Sequence, residues 1–186
     1  MIIGITGTNG SGKGAVGEYL VARHGFSRYT ARTVILDELR ARHLPLNREN
    51  MREVANSLRK EHGAAYVIER LYDMAKGETN VVMESVRTIG EAEFLKSKGA
   101  VIIAVDAECK IRYERVANKE TDEKTVTYED FCLVEDREMA SSDPWDMNVY
   151  GVMQLADERI NNNGTLSDLM MEVDQALMTL KSKKPA

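Results

Sequence analysis

The chain holds only two cysteines, no apolar run long enough to cross a membrane, and no excess of positive charge. Cys109 and Cys132 lie far apart in sequence, outside any metal or redox spacing, and read as reduced thiols of a cytosolic protein. A spanning helix needs about 20 apolar residues, and none is present, so no membrane partner is expected. The formal net charge of -5 gives no general affinity for nucleic acid. An apolar strand starts at Met1, which leaves no room for a signal peptide, and a cytoplasmic protein is expected. Internal repeats are also missing. The 186 residues suffice for one domain with a sizeable core.

A further absence is local. The run Gly7-Thr8-Asn9-Gly10-Ser11-Gly12-Lys13-Gly14 is a glycine-rich loop ending in Gly-Lys, yet neither Gly14 nor Ala15 supplies the hydroxyl that usually binds magnesium there. The apolar run 1–6 before it reads as a buried strand, and residues 15–22 after it read as a helix. Glycines let backbone N–H groups turn onto a polyphosphate, and the helix N-terminus adds partial positive charge. Lys13 offers a mobile cation for the β- and γ-phosphates of ATP. Without the hydroxyl, Mg²⁺ must be held by phosphates, by water and by an acid elsewhere.

Four further strands are expected at residues 26–29, 80–84, 100–106 and 159–161. Continuous apolar strands alternating with helices predict an α/β fold, a parallel sheet covered on both faces. Met51, Val54, Ala55 and Leu58 share one helical face. Val67, Ile68, Leu71, Tyr72 and Ala75 repeat the pattern after a break at His62-Gly63, and Leu166, Leu169, Met170, Val173, Leu177 and Leu180 mark a last helix. Thr165 or Ser167 could cap it. Residues 30–76 read as three successive helices, a substrate arm. Residues 119–145, highly charged and poor in aliphatics, read as a lid that would exclude water.

Beyond the loop, Glu84 ends the third strand at the sheet's carboxyl edge, where ligands of such folds sit. It could organise magnesium-bound water or serve as general base. Arg87 can reach the same crevice with a phosphate-matching fork. Arg115 and Lys119 share a helix face at i, i+4. Arg137 lies in the second half of the lid segment, and Arg112 competes with it as a catalytic cation. Asn162-Asn163-Gly164 is a tight turn that could hold an adenine by backbone contacts. The string 118–122 imitates a GTPase motif with one residue too many and is set aside.

These segments, with Leu58 to Gly63, Glu84 to Thr88, Asp106-Ala107 and Asp136 to Glu138, resemble the nucleoside monophosphate kinase group of P-loop kinases. Adenylate-kinase-like proteins and a prokaryotic dephospho-CoA-kinase-like family are the nearest in pattern. The resemblance implies a three-layer αβα P-loop domain over residues 1–186 with strand order 2-3-1-4-5. It implies ATP and Mg²⁺ as cofactors and small-molecule nucleotides as substrates. Lys13 and the loop would hold ATP, Arg87 would clamp the acceptor phosphate and Arg115 would lie over the adenine. Lys119 and Arg137 would neutralise the transferring group, and Asn162, Asn163 and Gly164 would line the base pocket. The arm Arg of adenylate-kinase-like proteins is matched here by Leu36, with Arg32, Arg40 or Arg48 as replacements. A monophosphate acceptor needs clamps and no base, so a nucleoside or deoxynucleoside monophosphate is the expected acceptor. A hydroxyl acceptor, as in dephospho-CoA or a nucleoside, needs a carboxylate such as Glu84. A regulatory module that binds ATP and transfers nothing is the third reading.

Overall fold

In the computed structural model, residues 1–118 and 127–183 are described. The elements run β1 Ile2–Gly7, α1 Lys13–His24, β2 Ser27–Thr30, α2 Ala31–Ala41, α3 Arg48–His62, α4 Tyr66–Met74 and β3 Val81–Glu84. They continue as α5 Ile89–Ser97, β4 Val101–Asp106, α6 Cys109–Ala117, α7 Tyr128–Met139, α8 Val149–Gln154, β5 Glu158–Asn161 and α9 Leu166–Lys183. The five strands form one parallel sheet in the order β2-β3-β1-β4-β5, as expected. Central β1 pairs Ile5 with Glu84 on one side and Gly7 with Val105 on the other. Register therefore brings the ends of β1, β3 and β4 to one edge, and the loop after β1 opens there.

Strands of Val and Ile can be apolar on both sides because helices cover both faces. On one face α1 and α9 bury Val16, Leu20, Leu169, Val173 and Leu177 against Ile3, Ile5 and Ile103. On the other, α4, α5 and α8 bury Ile68, Leu71, Leu95 and Val152 against Met83 and Ile102. The arm has its own core, in which Ile35, Leu39, Val54, Leu58 and Val67 join α2, α3 and α4. Gly63, at φ 115, ends α3 in a conformation that L side chains rarely adopt, which separates the two arm helices.

Several boundaries move. β2 starts one residue later than expected, because Phe26 is spent on the core instead of the ladder. β5 begins at Glu158, and Ala100 precedes β4. Leu166 is exposed, so the last apolar stripe begins at Leu169. Thr165 caps α9, not Ser167: its hydroxyl accepts from Asp168 N–H (3.2 Å) while Asp168 accepts from Thr165 N–H (2.8 Å). The two cysteines are free thiols, and in space they are neighbours. They are 23 residues apart, yet α6 and α7 pack together and bring their Sγ atoms to 3.6 Å.

Candidate functional site: a phosphate loop beside an arginine-lined cavity

Three glycines shape the loop between β1 and α1. A Cβ on Gly7 would lie 1.9 Å from the Val105 carbonyl oxygen, and one on Gly10 would lie 2.6 Å from that of Arg112. On Gly12 it would lie 2.4 Å from Asn162 Nδ2. All three have positive φ, so any side chain would be both strained and blocked. Ser11 Oγ donates to Thr8 O (2.9 Å) inside the loop, and Thr8 Oγ1 donates to Asp106 Oδ1 (2.6 Å) at the end of β4. Lys13 Nζ folds back on the Thr8 carbonyl and stands 3.5 Å from Ser11 Oγ. Burial, and then the nearby Arg87 charge, push its pKa well below the usual lysine value, against Glu138 and Glu84. The ammonium is half-buried, and among the described residues its hydrogen-bond partners are neutral, so an incoming anion would stabilise it. Backbone, turn and cation together fit a polyphosphate.

The expected base side comes together next to the loop. Asn162 Nδ2 donates to Ser11 O (2.8 Å). Arg115 reaches over the turn, donating to Asn162 O (2.9 Å) and to Gly164 O (3.4 Å). Asn163 diverges: its Oδ1 accepts from Glu108 N–H (2.8 Å), and it lines a separate cavity of about 370 Å³ between the ends of β4 and β5. Ala15, in the first turn of α1, packs against the core. Lys119 lies outside the described residues.

A cavity of about 350 Å³ opens beside the loop at Asn9 and is lined by five arginines: Arg32 of α2, Arg48, Arg52 and Arg59 of α3, and Arg87. Among the described lining residues Glu138 of α7 is the only acid. Its carboxylate accepts from Arg48 Nη2 (2.6 Å) and Nε (3.2 Å), and its other oxygen is 3.8 Å from Arg87 Nη1. Arg87 also donates to Gly7 O (3.3 Å), which ties the cavity to the loop. Burial lowers the Arg87 pKa; Glu138 opposes this, while Arg48 and Arg59 add to it. Arg87 is aimed by its backbone. Ser85 takes φ 71, so that Ser85 and Val86 both donate to the Ile5 carbonyl and the chain turns sharply back. Arg87 N–H then donates to Glu91 Oε2 (2.7 Å). Glu91, fully buried, also pairs with Arg59 (2.9 Å) and closes the capping box of α5 with Thr88.

Leu36, which the resemblance matches to an arm Arg, is half-buried against the arm core. Arg32 and Arg48 line the cavity, whereas Arg40 pairs with Asp37 on the surface (3.1 Å).

Two expected residues stand elsewhere. Arg137 is exposed and is not among the cavity residues. α7 instead turns Phe131, Glu135 and Glu138 inward, at helical i, i+4, i+7 spacing. Glu135 holds the guanidinium of Arg112, which is almost fully buried and reaches the loop carbonyl of Asn9 (3.3 Å). The 131/135/138 stripe was the signal for Glu138, masked by the high charge of the segment.

Glu84 is buried at the strand end, but both its oxygens accept from Arg28 of β2, Oε1 from Nε (2.7 Å) and Oε2 from Nη2 (2.9 Å). Burial raises its pKa, and Arg28 and Lys13 oppose the rise. Gly17 admits this pair beneath α1, since a Cβ there would sit 1.7 Å from Glu84 Oε1. The Cβ position of Gly14 lies 3.7 Å from Arg28 Nη2, so a guanidinium stands near the missing hydroxyl. Among the described residues no three His, Cys, Asp or Glu side chains group as a metal site. The described carboxylates near the loop, Glu84 and Glu138, are each held by an arginine instead.

Loop, sheet order and covering helices define a P-loop protein of kinase-like architecture. The chain belongs to the AAA domain family, whose model matches residues 3–141, and to the family of UPF0200 proteins. The UPF0200 protein of Aeropyrum pernix is 30% identical over 178 residues, covering 95% of this chain and 91% of the relative. That of Thermococcus kodakarensis is 28% identical over 191 residues, covering 98% and 100%. Among solved structures, shikimate kinase from Aquifex aeolicus superposes with TM-score 0.63 at 14% identity over 99% of this chain and 100% of that one. A gluconokinase from Sinorhizobium meliloti gives 0.61 at 16% identity over 97% and 93%. These structural likenesses establish the fold.

Proposed function

We propose that the chain transfers a phosphoryl group from ATP to a nucleoside or deoxynucleoside monophosphate. The observation that carries this reading is the convergence of Arg48 and Arg87 on one carboxylate beside Lys13. Glu138 occupies the place of an acceptor anion, and two guanidinium forks face it where a phosphate would fit. A monophosphate oxygen is already a nucleophile and needs no base. Fold neighbours named for shikimate and gluconate favour a hydroxyl acceptor instead, for which Glu138 would be the base. That carboxylate, however, is already committed to Arg48.

ATP bound in the cradle would supply the transferable group, with Mg²⁺ held by its phosphates and water. The loop N–H groups and Lys13 would then meet the β- and γ-phosphates, and Arg115 would lie over the base beside Asn162 and Gly164. Arg87 would hold the acceptor phosphate throughout the reaction, giving uniform binding. Arg87→Ala is therefore expected to weaken nucleoside monophosphate binding by about 1.5–3 kcal/mol, the range of a charged hydrogen bond. Calorimetric titration checks this, and unchanged affinity removes Arg87 from the acceptor site. Arg137 would join Lys119 at the transferring group only after α7 turns. Arg137→Ala should then lower kcat and leave the acceptor KM unchanged.

Glu84 would act on the metal through water and through its hold on Arg28. Glu84→Gln leaves that guanidinium near Gly14 with only the exposed Glu18 (3.5 Å) as acid partner among the described residues, so the Mg²⁺ needed for half-maximal rate should rise. A lower melting temperature with unchanged metal dependence would make the Arg28–Glu84 pair purely structural.

A further inference from the structure

We propose that Cys109 and Cys132 are an oxidative cross-linking site, which a peroxide closes to a disulfide that fastens α7 to α6 beside the phosphate loop. The thiols stand 3.6 Å apart, and both are half-buried, within reach of a small oxidant. A disulfide needs about 2.05 Å, so the sulfurs must approach by roughly 1.5 Å. The helices hold them in register on both sides. Tyr113 packs edge-on against Tyr128 (5.3 Å) and Phe131 (5.8 Å), and Arg112 pairs with Glu135 one turn beyond Cys132. This cross-link would join an element of the sheet body to the helix that carries Glu138.

The chemistry balances with hydrogen peroxide as oxidant. The Cys132 thiol gives up its proton and its sulfur attacks peroxide; the O–O bond breaks, the departing hydroxide takes that proton as water, and a sulfenic acid remains. Cys109, whose thiol pKa burial pushes up, is the neighbouring thiol that resolves it. Its sulfur attacks the Cys132 sulfur, the S–O bond breaks, and the thiol proton leaves with the hydroxyl as water. Two thiols lose two electrons, and one peroxide becomes two waters.

The consequence rests on the acceptor reading above. α7 places Glu138 against Arg48 and Arg87. Fixing α7 to α6 holds that carboxylate in the anion position, so an acceptor phosphate must compete with a tethered occupant. Oxidation should therefore weaken phosphate binding reversibly.

The test treats the dilute full chain with hydrogen peroxide and maps its peptides without reduction. The expected result is loss of both thiols, a linked Cys109–Cys132 peptide within one chain, and recovery with dithiothreitol. Cys132→Ser and Cys109→Ser should each yield no such peptide, and their thermal melts confirm folding. Separate oxidation of each sulfur to sulfinic acid, or linkage between chains, would overturn the site. Inorganic phosphate is the probe for the consequence, titrated against oxidised and reduced protein. Binding weakened about tenfold by oxidation, and restored by reduction, supports the lock, tenfold being within the usual range of site coupling. Equal binding in both states overturns the lock. Phosphate binding that is indifferent to Arg87→Ala in the reduced chain overturns the acceptor reading while leaving the cross-link standing.

Discussion

Lys13→Ala is expected to keep the sheet intact and to cut phosphoryl transfer by about 10²–10³-fold, the loss that follows removal of one preorganised electrostatic contact, roughly 3–4 kcal/mol. The reason lies in the free site. Lys13 is held in a glycine cradle with its ammonium turned on Thr8 O and Ser11 Oγ, and burial disfavours its charge. A charge that folding disfavours costs stability at every pH where it remains protonated. The alanine variant should therefore melt no lower than the parent, and could melt higher. Thermal melts with single-turnover rates check both halves. Near-parental turnover in the folded variant would remove Lys13 from the chemistry.

Arg59→Ala should have the largest effect on stability, about 3–5 kcal/mol, because it leaves an unpaired carboxylate in the interior. Arg59 is 1% exposed and Glu91 is fully buried. Glu91 also receives the N–H groups of Arg87 and Thr88, so the loss reaches the start of α5 and the aim of Arg87. The double variant Arg59→Ala with Glu91→Gln should recover part of the loss relative to Arg59→Ala alone, since Gln keeps an acceptor for the cap and removes the orphan charge. Urea unfolding measures each corner of this cycle. A single-variant loss below about 1 kcal/mol, the level of an exposed pair, would mean that the charges are not coupled as the geometry implies.

The sheet was legible where the strands are short apolar runs, as in β1, β3 and β4, and because glycine, lysine and helix follow β1 in a fixed order. β2 (Ser27–Thr30) and β5 (Glu158–Asn161) are polar in composition, and β5 was placed mainly by its context. The strand order came from the family resemblance, and the structure bears it out. Three arm helices were legible from stripes such as Met51, Val54, Ala55 and Leu58. The site was legible where one short segment carries it, as at Lys13. It was illegible where partners meet across the fold. No sequence spacing announces that Arg28 takes both oxygens of Glu84 across 56 residues. None announces that Arg48 meets Glu138 across 90 residues. Within α7, Glu138 rather than Arg137 faces the cavity because the Phe131 stripe sets the inner side, and a run of mixed charge hides that stripe. The nearness of the two cysteines was not foreseen for a related reason. Distance along the chain says nothing of two helices that pack side by side.

The most direct measurement is ADP formation from ATP, with nucleoside and deoxynucleoside monophosphates, dephospho-CoA and nucleosides offered one at a time. The predicted result is saturable ADP formation only with a monophosphate, its KM raised by Arg48→Ala and by Arg87→Ala. ADP formed with a nucleoside or dephospho-CoA alone, or with none of the panel, would contradict it.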